Sequence, residues 1–307
     1  MLEYVSLNLI QTITGGVMKN TSTNKSEPGK YYWWAHSAPL DALTRKDASL
    51  PPRTIGTLHM LRDSTACLHL ADLVNGRYGY GGILYNLPPN IYKRQKPKVS
   101  QLSLLSHNDL ILLTTRPPLN DRQGYRKRWI FQSGSDLENI ILQNMKKFFL
   151  HCDRRHIILS NKIANKFQSR DDSSYRAITF DIYIDAYIAY KANVDNLGYL
   201  ENPINKVSNS KATIGFIVYI PQLIKKNAKK IDTPGVLSVF SLNGTMTLVW
   251  SYFVWAKYSN LINEIISSKK PRIILAEFKP EISNDIIPTD LSFVDSMECE
   301  IKIDVIL

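Results

Sequence analysis

Apolar and polar positions along this chain alternate more often than they recur at helical spacing. Met297 to Val305 alternates through "MECEIKIDV". "AITFDIYID" places Ile178, Phe180, Ile182 and Ile184 on one face, with Thr179, Asp181, Tyr183 and Asp185 on the other. A period of two marks a half-buried strand. "ATIGFIVYIP" and "RIILAEF" are apolar runs of strand length, and "DLILLTTR" is another, stopped by Pro117 and Pro118. The adjacent aromatics Tyr31, Tyr32, Trp33 and Trp34 form either a strand covered on both faces or an exposed adhesive patch, and burial is the preferred reading because aromatics dominate β cores. Thr54 to Val74 reads as short strands with polar breaks, and Gly76, Gly79, Gly81 and Gly82 as the residues of tight turns. In "GVLSVFSLNGTMTLVWSYFVW" the Asn243-Gly244 pair predicts a hairpin between two strands.

Two segments carry a helical period. Asp136 to Leu150 has Leu137, Ile140, Ile141, Met145, Phe148 and Phe149 on one stripe, with Ser135 and Glu138 as a capping box. Leu261, Ile262, Ile265 and Ile266 make a second, shorter amphipathic helix. The expected class is mainly β with a few helices, α+β, as a β-sandwich or two β-sandwich halves. A β-rich part over 1–160, closing on the amphipathic helix, and a second over 175–307 would meet around the polar "NKFQSRDDSSYR". The order of elements is not a regular βαβ alternation, which argues against a Rossmann-type sheet.

Composition adds a direction. The 307 residues are 44% hydrophobic, ample for a core, and carry a formal charge of +11. Such a charge favours polyanionic partners, nucleic acid or an anionic membrane surface. Gly76 to Arg155 is dominated by Lys and Arg, and Glu277 to Asp304 by acids. The acidic stretch either meets the basic one of a neighbouring copy or is paired within its own chain. Cys67, Cys152 and Cys299 are odd in number and far apart, so no disulfide framework is implied and a reducing, intracellular compartment is expected. "MLEYVSLNLIQTI" lacks the basic flank of a signal. The run Met246 to Ala256 is too short to span a bilayer as a helix, so membrane contact would be peripheral.

Motifs of catalysis are sparse. No GxGxxG, GxxxxGK[ST] or GxSxG spacing occurs. His151 and His156 in "HCDRRH" are five apart, wrong for ligands on one helical face. An enzyme would need His59, His69, His151 or His156 to converge from a distance. No catalytic residue, metal site, cofactor or small-molecule substrate is therefore assigned. The binding signal is stronger. Lys93, Arg94, Lys96 and Lys98, and then Arg122, Arg126, Lys127 and Arg128, form basic loops interleaved with Tyr92, Tyr125 and Trp129. Arg beside an aromatic suits phosphate contact with base stacking. Lysines in loops suit an anionic bilayer as well. Lys225, Lys226, Lys229 and Lys230, between Pro221 and Gly235, form a third patch, and Lys269 with Lys270 a fourth.

In size, charge and strand pattern the chain resembles the matrix proteins of negative-strand RNA viruses. Two stretches approach the late-budding motifs of such proteins. "HSAPLD" has Ser37-Ala38-Pro39 but His36 where P[ST]AP requires proline, and "PPNIY" holds Pro88, Pro89 and Tyr92 one residue too far apart for PPxY. The resemblance implies a homo-oligomeric, non-enzymatic virion protein that lies at the host membrane and contacts lipid headgroups and nucleoprotein. The alternative is a single-stranded RNA- or DNA-binding protein, such as a viral movement protein or a subunit of an RNA-guided complex.

Overall fold

The computed structural model describes residues 28–35, 52–85, 105–117, 119, 136–152, 156–164, 177–181, 186–194, 200–209, 213–224, 233–242, 244–279 and 292–307. The fold is mainly β with helices, α+β, built on a seven-stranded mixed sheet. Its strands are β1 (Lys30–Ala35), β2 (Gly79–Tyr85), β3 (Leu110–Leu113), β9 (Thr213–Ile220), β10 (Gly235–Ser241), β11 (Arg272–Phe278) and β12 (Cys299–Ile306), in the order β12-β11-β9-β10-β3-β1-β2. β10, β3, β1 and β2 run parallel, whereas β12, β11, β9 and β10 pair antiparallel. A second, antiparallel sheet holds β4 (Phe149–Cys152), β5 (His156–Leu159), β6 (Ala177–Asp181), β7 (Ala186–Val194) and β8 (Leu200–Asn209). The helices are α1 (Pro52–Val74), α2 (Asp136–Met145), the single turn α3 (Asn161–Ala164), α4 (Gly244–Lys257) and α5 (Ser259–Ser268).

The central strands read as unbroken apolar runs because both their faces are covered. In β9, Ile214, Phe216, Val218 and Ile220 face one core, while Ile217 and Tyr219 face the other. The first core lies between the large sheet, α2 and the start of the second sheet. There Phe149 of β4 meets Phe216 and Phe240 edge-on or tilted, at ring distances of 5.8 and 6.1 Å. This face is the sandwich that alternation predicts. The other face carries α1, α4 and α5.

Four local expectations are corrected. Thr54 to Val74 is not a set of strands but lies within α1, whose buried residues include Ala66, Cys67, Leu70 and Val74. Its apolar residues are spread around the helix, so no stripe stands out. Asn243-Gly244 does not turn a hairpin: Gly244 starts α4, which is apolar nearly all round because it lies on the sheet. The glycine-rich "GYGG" is the edge strand β2, and Gly81 leaves room for the ring of Tyr32, which a Cβ would approach to 2.5 Å. The helix expected over Asp136 to Leu150 ends at Met145, and Phe149 to Cys152 is strand β4. β3, which precedes residue 160, pairs with β10, which follows residue 175, in the large sheet.

Arg272 locks the edge of that sheet. It is 7% exposed, and its guanidinium donates to both oxygens of Asp304 on β12 and, at 2.7 Å, to Glu264 on α5. Arg272→Ala is expected to destabilise the protein by about 2–3 kcal/mol. That is below the roughly 3–5 kcal/mol of a fully buried pair, because the stranded carboxylates still reach water. A urea titration monitored by tryptophan fluorescence checks it.

Candidate anion-binding face

The starts of four parallel strands, Lys30, Gly79, Leu110 and Gly235, align at one end of the large sheet. β9 ends there at Ile220 and β11 begins there at Arg272. Asp109 ties the strand starts together. Its carboxylate accepts from the backbone N–H of Lys30 and of Ser106, both at 2.8 Å, and its carbonyl accepts from Gly235 N–H at 2.8 Å. Asp109 is thus buried, with both carboxylate oxygens engaged.

A cleft of about 520 Å³ opens at this end between the sheet, the α1–β2 turn and the end of α5. Leu110, Tyr219 and Ile266 are buried in its floor, and Arg77, His107 and Lys269 are exposed at its rim. Arg77 Nη1 donates to Ser267 Oγ at 2.7 Å, which fixes the guanidinium beside α5. Lys269 caps α5 in the left-handed conformation, φ 50° and ψ 30°, a place glycine usually takes. Burial raises the phenol pKa of both Tyr78 and Tyr219, so their hydroxyls stay protonated.

The β9–β10 connection leaves from the same end. Pro221, Gln222 and Gly235 line the cleft. Across the base of the connection, Leu223 N–H donates to Pro234 O at 3.1 Å and Thr233 Oγ1 donates to Leu223 O. On the other side of the sheet, Asn144 of α2 holds Ile224 by both backbone groups, at 3.1 Å each. Lys147 Nζ donates to the same Asn144 side chain at 3.2 Å. Burial lowers the Lys147 ammonium pKa from its ordinary value. Lys30, Arg77, Lys147, Lys269 and Lys270, all exposed, therefore come from separate segments to one end of the sheet.

Lys225, Lys226, Lys229 and Lys230 lie outside the described residues, but the ends of their segment, Ile224 and Thr233, are anchored in this face. Lys93, Arg94, Lys96, Lys98, Arg122, Arg126, Lys127 and Arg128 also lie outside the described residues, as do Tyr92, Tyr125 and Trp129. Arg77, Lys147 and Asn144 belong to the site although no motif marks them. Asn144 does carry a signal: it is a polar residue four after Ile140, on the apolar stripe of the helix.

The acidic C-terminal stretch has cation partners near it in the fold. Among the described residues Asp295 pairs with Lys257 at 2.8 Å, Glu298 with Lys279 at 2.9 Å and Asp304 with Arg272. Glu300 takes Lys302. None of these cations belongs to the basic patches expected from the sequence.

The histidines divide. His151 is buried on β4 and His156 lies on β5, whereas His59 and His69 lie on α1, in the layer across the large sheet. No group of three His, Cys, Asp or Glu suited to a metal occurs among the described residues. His69 has a structural partner. Its Nδ1 lies 3.2 Å from Ser251 Oγ, and the Ser251 proton goes to Leu248 O at 2.8 Å, so the imidazole donates. Ser251 is 0% exposed, closed to any substrate, and the pair joins α1 to α4.

Burial among Tyr252 and Trp255 pushes the His69 pKa below its ordinary 6.5, and the Asp72 carboxylate opposes this in part. The folded protein thus binds this proton less readily than the unfolded chain. Stability from His69 is complete above about pH 6.5 and falls as pH drops toward the folded value, at up to about 1.4 kcal/mol per pH unit. Urea midpoints at pH 7.5 and pH 5 are expected to differ more in the native protein than in His69→Gln.

No protein-family model, curated protein or solved structure matches the chain. No helix among the described residues is long and apolar enough to cross a membrane.

Proposed function

We propose that this protein binds polyanions without catalysing a reaction, and that single-stranded nucleic acid is the occupant its geometry suits best. The observation that carries this reading is the convergence of Lys30, Arg77, Lys147, Lys269 and Lys270 at one end of the sheet. Segments remote in sequence supply these charges, and the four-lysine connection is tethered among them. Summed Coulomb attraction of this kind holds a phosphate backbone and steers its approach. The face contains a cleft rather than a plane, which fits a strand entering a groove better than a flat bilayer.

A second reading, a self-assembling matrix-type virion protein on an anionic membrane, is favoured by one feature. Ile224 is 63% exposed and stands next to Lys225 and Lys226. An apolar side chain flanked by lysines suits the bilayer interface.

Fluorescence anisotropy with a labelled oligouridylate, set beside sedimentation with phosphatidylserine vesicles, separates the two. The first reading expects strand binding that weakens linearly in log–log form with salt. Vesicle binding without strand binding would transfer the assignment to the membrane, and binding to neither would remove both.

A further inference from the structure

The cleft within this face is more selective than a basic patch. Its exposed rim carries Arg77, His107 and Lys269, while its floor is formed by the buried Leu110, Tyr219 and Ile266. The charged residues of its lining are thus exposed and the apolar ones buried. The volume of about 520 Å³ is that of a site for a small molecule, not for a bare inorganic ion. The one carboxylate in the lining, Asp109, already accepts two backbone N–H groups.

Lys269 adds a second observation. It is the only described residue other than glycine with a positive φ, 50°. Glycine would hold this cap at lower cost, so the position retains a side chain against a backbone preference. The side chain retained is a cation at the rim, two residues beyond the Ser267 that orients the Arg77 guanidinium. No carboxylate among the described residues pairs with Lys269 or Arg77.

We propose that the cleft is a phosphate-monoester site, in which Arg77 and Lys269 hold the dianionic phosphoryl group and the apolar floor takes the group esterified to it. The assignment rests on the polyanion reading above and sharpens it. A guanidinium binds two phosphoryl oxygens in parallel, and an ammonium adds a point charge. A monoester dianion gains more from this pair than the monoanionic diester of a strand interior does. The same chemistry is offered by a nucleotide, by a strand end or by a phosphorylated lipid headgroup.

Calorimetric titration of the full chain with AMP and with adenosine tests the assignment, beside sedimentation with vesicles containing phosphatidylinositol 4-phosphate or phosphatidylinositol. The site is expected to prefer the phosphorylated member of at least one pair by tenfold or more. Preference for AMP places the source with nucleotides or strand ends, and preference confined to the vesicles places it with lipid. Inorganic phosphate is expected to compete with the bound partner. Lys269→Gly is the informative variant, because it removes the cation while relieving the backbone. It should keep or raise the melting temperature and still lose about tenfold in affinity, as should Arg77→Gln. No preference in either pair, or unchanged affinity in Lys269→Gly, would overturn the proposal. Oligouridylate binding that persists in that event leaves the basic face standing. Monoester binding without any oligouridylate binding would instead remove the strand reading and keep the cleft.

Discussion

Reversing the four lysines of the β9–β10 connection, Lys225, Lys226, Lys229 and Lys230 to Glu, is expected to weaken oligouridylate binding by on the order of a hundredfold at low salt. The log–log salt slope should fall in magnitude by about 3, since each single-strand phosphate that a cation neutralises adds roughly 0.7 to it. The physical basis is the anchoring at the base of the connection. Leu223, Ile224 and Thr233 are fixed by hydrogen bonds to Pro234, to Asn144 and within the hairpin, so the segment leaves the sheet beside the other cations. Its charges are then expected to act with those of Arg77, Lys147 and Lys269 on one ligand. A melting temperature close to that of the native protein is the control. If the slope is unchanged, this segment does not face the strand.

Trp250→Ala carries the largest expected effect on stability, about 4 kcal/mol. Trp250 is 0% exposed and stacks on Phe278 at 5.3 Å and Phe253 at 5.9 Å. Its Nε1–H donates to Phe216 O on β9 at 3.1 Å. Truncation removes the transfer energy of the ring and leaves a cavity beneath α4 that a closely packed layer cannot refill. Gly215 is the complement of this side chain: a Cβ there would stand 2.3 Å from the indole. Gly215→Ala is therefore expected to destabilise as well, by about 1–3 kcal/mol, because overpacking must shift α4 or the strand. Guanidinium denaturation of each variant measures both effects. A loss below about 1 kcal/mol for Trp250→Ala, far under the usual range for a buried tryptophan, would mean that α4 is not seated as described.

How much of the fold is legible in the sequence depends on what each segment touches. β9, β11 and β12 are readable because their apolar pattern and length match a strand and are closed by Pro221, Pro271 or the chain's own charge alternation. β1 is readable for a related reason. Tyr31 and Trp33 face the helical layer, while Tyr32 and Trp34 face the opposite core, so four consecutive aromatics are all accommodated. α1 and α4 mislead because a helix with apolar residues around much of its circumference loses the 3.6-residue period. Only tertiary packing distinguishes it from a buried strand, and Asn243-Gly244 points the wrong way since glycine also tolerates a helix start.

The site is legible as charge but not as geometry. Four lysines between Pro221 and Gly235 are evident, and so is the pair Lys269, Lys270. That Arg77 and Lys269 line one cleft depends on α1 and α5 meeting on one face of the sheet, which no local pattern encodes. The same holds for Lys147, whose link to the connection runs through Asn144 over a separation of eighty residues. The acidic terminus shows the converse. Its alternation marks a strand, but its partners, Lys257, Arg272 and Lys279, are set by the sheet order rather than by the chain's overall charge map.

On the proposed reading, cations from separate segments gather around the end of the sheet where Lys30, Leu110 and Gly235 begin, and hold one anion there. Ultraviolet crosslinking of a uridine oligomer to the full chain, followed by peptide mapping, tests it most directly. Crosslinked peptides are expected to cluster at residues 77–78, 107–109, 144–147, 219–230 and 266–270. Crosslinks concentrated instead on the β12 edge, or spread evenly over the surface, would contradict the account.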